Sequence, residues 1–251
     1  MTSSARAALL LPLLIAGAAC AKADGGADGG LPRSDGALLP DAGGEVRADA
    51  ATDAEPHGDS APVINEFVAD HDGDDDCEYV EIAGASGTDY SRYTVLTVEG
   101  DAGNNPGQVQ AVLPVGATSG GGFWVSSFLT NQLQNGSSTL LLVADFTGGT
   151  PDIDSNNDGA IDAEPWSELA DAVAIQDSDA SDVTYAASLL TRTFDGENSV
   201  VGGASRIPDG TDTDKAADWV RNLDNAAGLP CASGDPPIGQ AENTPGASNA
   251  I

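Results

Sequence analysis

The chain has 251 residues and a formal net charge of -31, from 40 acidic side chains against 9 basic ones. So few cations exclude an electrostatic grip on a phosphate backbone, and nucleic acid is not an expected partner. Acidity on this scale favours solubility, self-repulsion and cation binding but leaves the fold open. With 5% aromatic residues a core must rest on Val, Leu and Ile, and 31 Gly with 14 Pro imply many turns.

Residues 1–20 read as an export signal of lipoprotein type. Arg6 supplies positive charge, and Ala7 to Ile15 (AALLLPLLI) form an apolar stretch too short to span a bilayer. Ala16-Gly17-Ala18-Ala19 then lead into Cys20, which resembles a bacterial lipobox, with Gly17 where Leu is usual. The alternative is an ordinary secretory signal cut after Ala23. A lipidated Cys20 would anchor the mature protein in a membrane at about 0.8 kcal/mol per buried CH₂. It would place the protein on the bacterial cell envelope, at the outer membrane or cell surface, with simple secretion as the alternative. Cys77 and Cys231 then remain as a pair that an oxidising compartment permits to bridge. Such a bridge contributes at most about 5 kcal/mol on the chain-entropy model. The alternative is two unpaired thiols.

Residues 21–61 read as a disordered acidic tether of Ala, Gly, Asp and Pro, with too little apolar surface to offset the entropy of ordering. His57 within it reads as solvated. From residue 62 to 251 the texture is that of one β domain. Apolar, β-branched runs predict strands at 63–69, 79–82, 93–98, 109–113, 123–126, 139–144, 172–175 and 183–185. Turn residues separate them, which argues for an all-β sandwich. Residues 164–174 read as a short helical turn running into a strand.

Three segments together resemble the lamin-tail domain, an immunoglobulin-like sandwich. They are Val63-Ile-Asn-Glu-Phe67 with Glu78-Tyr-Val-Glu-Ile82; Thr88-Asp-Tyr-Ser-Arg-Tyr93; and Ala204-Ser-Arg-Ile-Pro208, Asp218-Trp219 and Thr244-Pro-Gly-Ala-Ser-Asn249. The resemblance spans about residues 63 to 250 around an insertion at about 145–200. It implies a non-catalytic module of exported bacterial proteins, often found beside nucleases or phosphatases. On the residues themselves, Trp124 and Trp219 read as packing residues. Arg206 is expected to bond carbonyls or a carboxylate, and either Asn65 or Glu66 must face the interior.

One stretch carries metal chemistry. Asp152-Ile-Asp-Ser-Asn-Asn-Asp-Gly-Ala-Ile-Asp162 alternates oxygen-bearing side chains and places a glycine at the bend. With Asp154 as position one, Asn156, Asp158 and Asp162 fall at three, five and nine, and Ala160 offers its carbonyl at seven. Ile161, at eight, would tie the loop to the core. This follows the first nine positions of an EF-hand calcium loop. The twelfth position, which needs a bidentate acid, holds Pro165. Glu164, Glu168 or Asp152 must replace it, and Ca²⁺ is the expected ion. The alternative is a solvated acidic turn. A second stretch, with Asp70, Asp72 and Asp74 at alternating positions, reads as a hairpin turn with a weaker claim to a cation. Asp209 to Asp214 reads as a loop.

Catalysis is not expected. A Ser-His-Asp site would have to use His71; no G-x-S-x-G elbow and no phosphate-cradling loop occur. The expected function is a non-catalytic envelope binding or structural module, calcium-stabilised and lipid-anchored, monomeric, with a protein or glycan partner. The alternatives are an accessory domain of a secreted nuclease or phosphatase system, and a carboxylate-dependent hydrolase.

Overall fold

The computed structural model describes residues 61–149, 151–177 and 179–251. The export signal with Cys20, and the tether with His57 up to residue 60, lie outside the described residues. Ten strands run in chain order: β1 (Val63–Val68), β2 (Tyr79–Ala83), β3 (Tyr93–Glu99), β4 (Val109–Pro114), β5 (Phe123–Val125), β6 (Ser138–Ala144), β7 (Glu168–Gln176), β8 (Ser188–Thr191), β9 (Gly203–Arg206) and β10 (Trp219–Arg221). A 3₁₀ turn at Ala216–Asp218 precedes β10. The strands form two five-stranded sheets, ordered β10-β9-β1-β2-β5 and β4-β3-β6-β7-β8. Pairing is antiparallel except between β7 and β8. The expected all-β sandwich is what the chain builds.

β6 explains the middle of the second sheet. Its run Thr139-Leu-Leu-Leu-Val-Ala144 does not alternate, because both faces are buried. Leu140 and Leu142 point into the cluster between the sheets, with Ile64, Phe67, Val80, Val95, Ile175 and Trp219. Leu141 and Val143 point the other way, into a second cluster with Leu96, Val98, Ile153 and Tyr185. The outer face of the first sheet is covered too, where Val68 and Tyr79 pack against Ala226 and Leu229.

Several elements depart from the sequence reading. Residues 183–185 form no strand; Val183 and Tyr185 are apolar because they cover the outer face of β6. The helical turn expected at 164–174 is absent, and β7 is extended from Glu168 onward, paired along β6. The stretch 145–200, read as an insertion, contains β7 and β8, two strands of the second sheet. Along β1 the register shifts between Ile64 and Glu66. This bulge breaks the alternation, and Asn65 and Glu66 are both fully buried because β1 is covered on both faces, with Ile64, Phe67 and Val68 buried as well. Among the described residues no helix is long and apolar enough to cross a membrane.

Candidate metal centres

The 152–162 loop crosses the outer face of the second sheet. It is pinned on one side by Ile153, which is fully buried, and on the other by Ile161, which packs on the same cluster. Between these anchors the chain curls inward. Asn157 and Gly159 take positive φ, 58° and 86°, and the amides turn toward the acids. Asp158 N donates to Asp154 Oδ1 at 3.1 Å, and Gly159 N to Asp154 Oδ2 at 2.8 Å. Asp158 N also reaches Asn156 Oδ1, and Ala160 N reaches Asp158 Oδ1. Asp162 closes the curl by accepting from the amide and hydroxyl of Ser155. Asp152 accepts from Asp154 N at 3.1 Å.

Asp154 is the centre of this arrangement. It is fully buried, and Tyr185 donates its hydroxyl to Oδ2 at 2.9 Å. Burial, and then the Asp154 carboxylate, push the Tyr185 phenol well above its ordinary range, so it stays a donor. The loop also leans on the β3–β4 turn: Ile153 N donates to Gly107 O and Val109 N to Pro151 O. The remaining acids stand apart. Glu164 is exposed, and Glu168, on β7, has Oε2 3.9 Å from Arg92. Pro165 directs its carbonyl to Thr147.

Beside this loop the fold assembles an acid cluster that sequence reasoning missed. Asp101, Asp177 and Asp182 bring carboxylate oxygens within 4.8 Å of one another. Ser137 Oγ donates to Asp182 at 2.6 Å, and Gln134 donates to Asp101 and to the buried Glu99. The three acids come from the β3–β4 and β7–β8 connections, so no local spacing announces them. In the β1–β2 loop, burial and the neighbouring Asp75 push the Asp70 carboxyl up. Asp72 and Asp74, which the sequence aligned with Asp70, are exposed.

The same loop ends at a bridge. Cys77 and Cys231 are joined by a disulfide, with Cα atoms 6.2 Å apart. His71 and Asp76 lie against it, and the donor atoms of these four residues all fall within 4.8 Å of one another.

The first and last of the three segments that carry the family resemblance converge on one buried polar network. Asn65 donates to Glu81 and to Asp209. Thr244 N donates to Glu66 and Gly246 N to Glu81. Asn249 donates to the carbonyls of Asn65 and Arg206. Arg206, fully buried, bonds the Ile64 carbonyl and grips Asp171 through both carboxylate oxygens at 3.0 Å. Its guanidinium lies 4.5 Å over the Trp219 ring, which meets Phe67 edge-on at 5.7 Å. These residues fasten the last segment of the chain to β1 and β2. A cleft of about 370 Å³ opens nearby, with Gly84, Gly121 and Gly122 on its wall and Asp209 and Asp212 at its edge. Both acids are engaged, Asp209 by Asn65 and Asn249, and Asp212 by Arg206.

Compared with known proteins, the chain matches no family model, no curated protein and no solved structure. The site must therefore be interpreted from its own chemistry.

Proposed function

We propose that the protein is a non-catalytic cell-envelope module: a lamin-tail-like, immunoglobulin-like sandwich, lipid-anchored through Cys20 and stabilised by calcium in the 152–162 loop. The observation that carries the metal assignment is Asp154, a fully buried carboxylate at the start of a loop anchored by Ile153 and Ile161. The donor set is all oxygen, which suits a hard cation. Asp154, Asn156, Asp158 and Asp162 would supply side chains and Ala160 its carbonyl. Asp152 already bonds the Asp154 amide within the curl, whereas Glu168 lies on β7 beside Arg92, so Asp152, with Glu164 next to Pro165, is the better-placed substitute for the acid that Pro165 displaces. With that arm remote, affinity falls in the extracellular range, about 10⁻⁴ to 10⁻³ M.

The ion's role here is to order a surface loop. A non-catalytic reading is supported by His71, which is buried and whose Nε2 faces the bridged Cys231 Sγ instead of a hydroxyl or thiol nucleophile. The acids beside the cleft are likewise engaged in structural hydrogen bonds. A monomer with a protein or glycan partner remains the working assignment.

Calorimetry with millimolar Ca²⁺ tests the metal. Heat of binding in the parent, lost in Asp158→Ala, supports it; no heat in the parent sinks it. Palmitate labelling in a bacterial host that lipidates exported proteins, abolished in Cys20→Ala, tests the anchor, and an unlabelled parent overturns it.

A further inference from the structure

His71 is the one histidine among the described residues, and it is 6% exposed. Its Nδ1 lies 3.2 Å from the carbonyl oxygen of Asp72. A carbonyl can only accept, so Nδ1 carries a proton and donates it. In the neutral ring the lone pair is then on Nε2. That nitrogen faces Cys231 Sγ at 3.8 Å. A bridged sulfur has no proton to offer, so Nε2 meets it either as the N–H of an imidazolium or as a bare lone pair. Such a contact becomes favourable when a cation is shared.

Two further donors complete the set. Cys77 Sγ and the Asp76 carboxylate join His71 and Cys231 within 4.8 Å. Two sulfurs, an imidazole nitrogen and a carboxylate oxygen are a donor set for zinc. With Zn–S near 2.3 Å and Zn–N near 2.0–2.1 Å, the sulfur-to-nitrogen edge of a tetrahedron is roughly 3.6 Å. The Cys231–His71 separation is already close to that. The Nδ1–H bond to Asp72 holds the ring as a metal-binding histidine is usually held, by a donor bond from its other nitrogen. The surroundings are negative. Asp75 Oδ1 and Glu78 Oε1 are buried without a hydrogen-bond partner. No ion pair found among the described residues brings an arginine or lysine to this loop.

We propose that, once the Cys77–Cys231 bridge is reduced, His71, Asp76, Cys77 and Cys231 form a tetrahedral site for a thiophilic divalent cation of the zinc class. The chemistry balances with an external dithiol. It gives two electrons and two protons to the bridge and leaves as its own disulfide, and the cation then displaces the two thiol protons to solvent. Bridge and metal are two closures of one loop, between residues 154 apart in sequence. The β1–β2 loop stays joined to the segment around Cys231 in either redox state.

Cobalt reports thiolate ligation where the acidic loops cannot. The full chain carrying Cys20→Ser is reduced with a phosphine, desalted without oxygen, and titrated with Co²⁺. One equivalent produces a sulfur-to-cobalt charge-transfer band that zinc removes, and the oxidised protein gives none. Cys231→Ser abolishes the band, and His71→Ala weakens cobalt binding roughly tenfold or more. Zinc also raises the melting temperature of the reduced protein. A folded reduced protein without the band overturns the proposal. So does an unchanged affinity in His71→Ala, or a reduced protein that is unfolded and that zinc does not refold.

Discussion

Glu66 and Glu81 face each other across the β1–β2 pairing, and both side chains are fully buried. Their hydrogen bonds do not make them alike. Glu66 accepts from Ser205, Asn222 and Thr244 N, and Glu81 from Asn65 and Gly246 N. Burial raises both carboxyls, and Glu81 is pushed up to about 8. An unfolded chain releases the Glu81 proton near 4.5, whereas the folded one holds it to about 8. The folded state binds more protons in that window, so stability falls as pH rises through it. The buried Asp171 adds the same sign between 3.8 and about 6. At about 1.4 kcal/mol per pKa unit, several kcal/mol separate the two ends. Melting at pH 5 should occur above melting at pH 8, and Glu81→Gln should narrow the gap. An equal gap in the variant would remove Glu81 as the cause, because charge repulsion across the whole acidic protein would remain.

The Arg206–Asp171 pair joins β9 of the first sheet to β7 of the second, with both side chains fully inside. Asp171 also accepts the Ile64 amide at 2.7 Å. Removing one partner leaves the other buried and uncompensated, which costs about 3–5 kcal/mol. Asp171→Ala should show that loss in chemical denaturation. The double variant Asp171→Leu with Arg206→Met should recover part of it, because no charge is then stranded. A single variant that loses under about 1 kcal/mol would show the pair to be no tie between sheets.

Most strands were legible because burial leaves apolar runs, and β6 shows why. A strand covered on both faces reads as continuous Leu and Val whatever its neighbours are. β9 and β10 were not legible as strands. Gly203-Ala-Ser-Arg206 and Trp219-Val-Arg221 are short, and each ends in a buried arginine, a residue that ordinarily marks surface. Partners far along the chain make that burial possible: Asp171 for Arg206, and Asp195 with the Ser199 and Val200 carbonyls for Arg221. The candidate calcium loop was legible because its spacing is local, down to Ile161 as the anchor. Tyr185 above Asp154, and the Asp101–Asp177–Asp182 cluster, were not. Each depends on connections that meet only after the second sheet has formed.

Calcium should stabilise the folded chain by mass action. At a dissociation constant of about 10⁻⁴ to 10⁻³ M, 10 mM Ca²⁺ contributes roughly 1.4–2.7 kcal/mol. Chelation should therefore lower the melting temperature by several degrees. Tyr185→Phe tests the buried end of the loop. It removes the donor to Asp154 Oδ2, a hydrogen bond to a charged group that contributes about 1.5–3 kcal/mol. The variant should lose that amount in chelator. If it matches the parent there, the phenol does not hold the loop.

Gly107 gives a backbone test of the same loop. Its φ is 90°, a region that side chains disfavour. A Cβ built there would lie 2.7 Å from Asp154 Cβ and 2.8 Å from Asp154 N. Neither atom can yield without moving the 152–162 curl, because Ile153 N is bonded to the Gly107 carbonyl. Gly107→Ala should cost about 1–3 kcal/mol from strain and overpacking. Because the clash falls on Asp154, the first position of the proposed calcium loop, calorimetry should also find weaker calcium binding than in the parent. Gly103→Ala is the matched control, on the same turn with open space around it. It should leave both stability and binding near the parent values. Equal behaviour of the two variants would break the link between the β3–β4 turn and the loop.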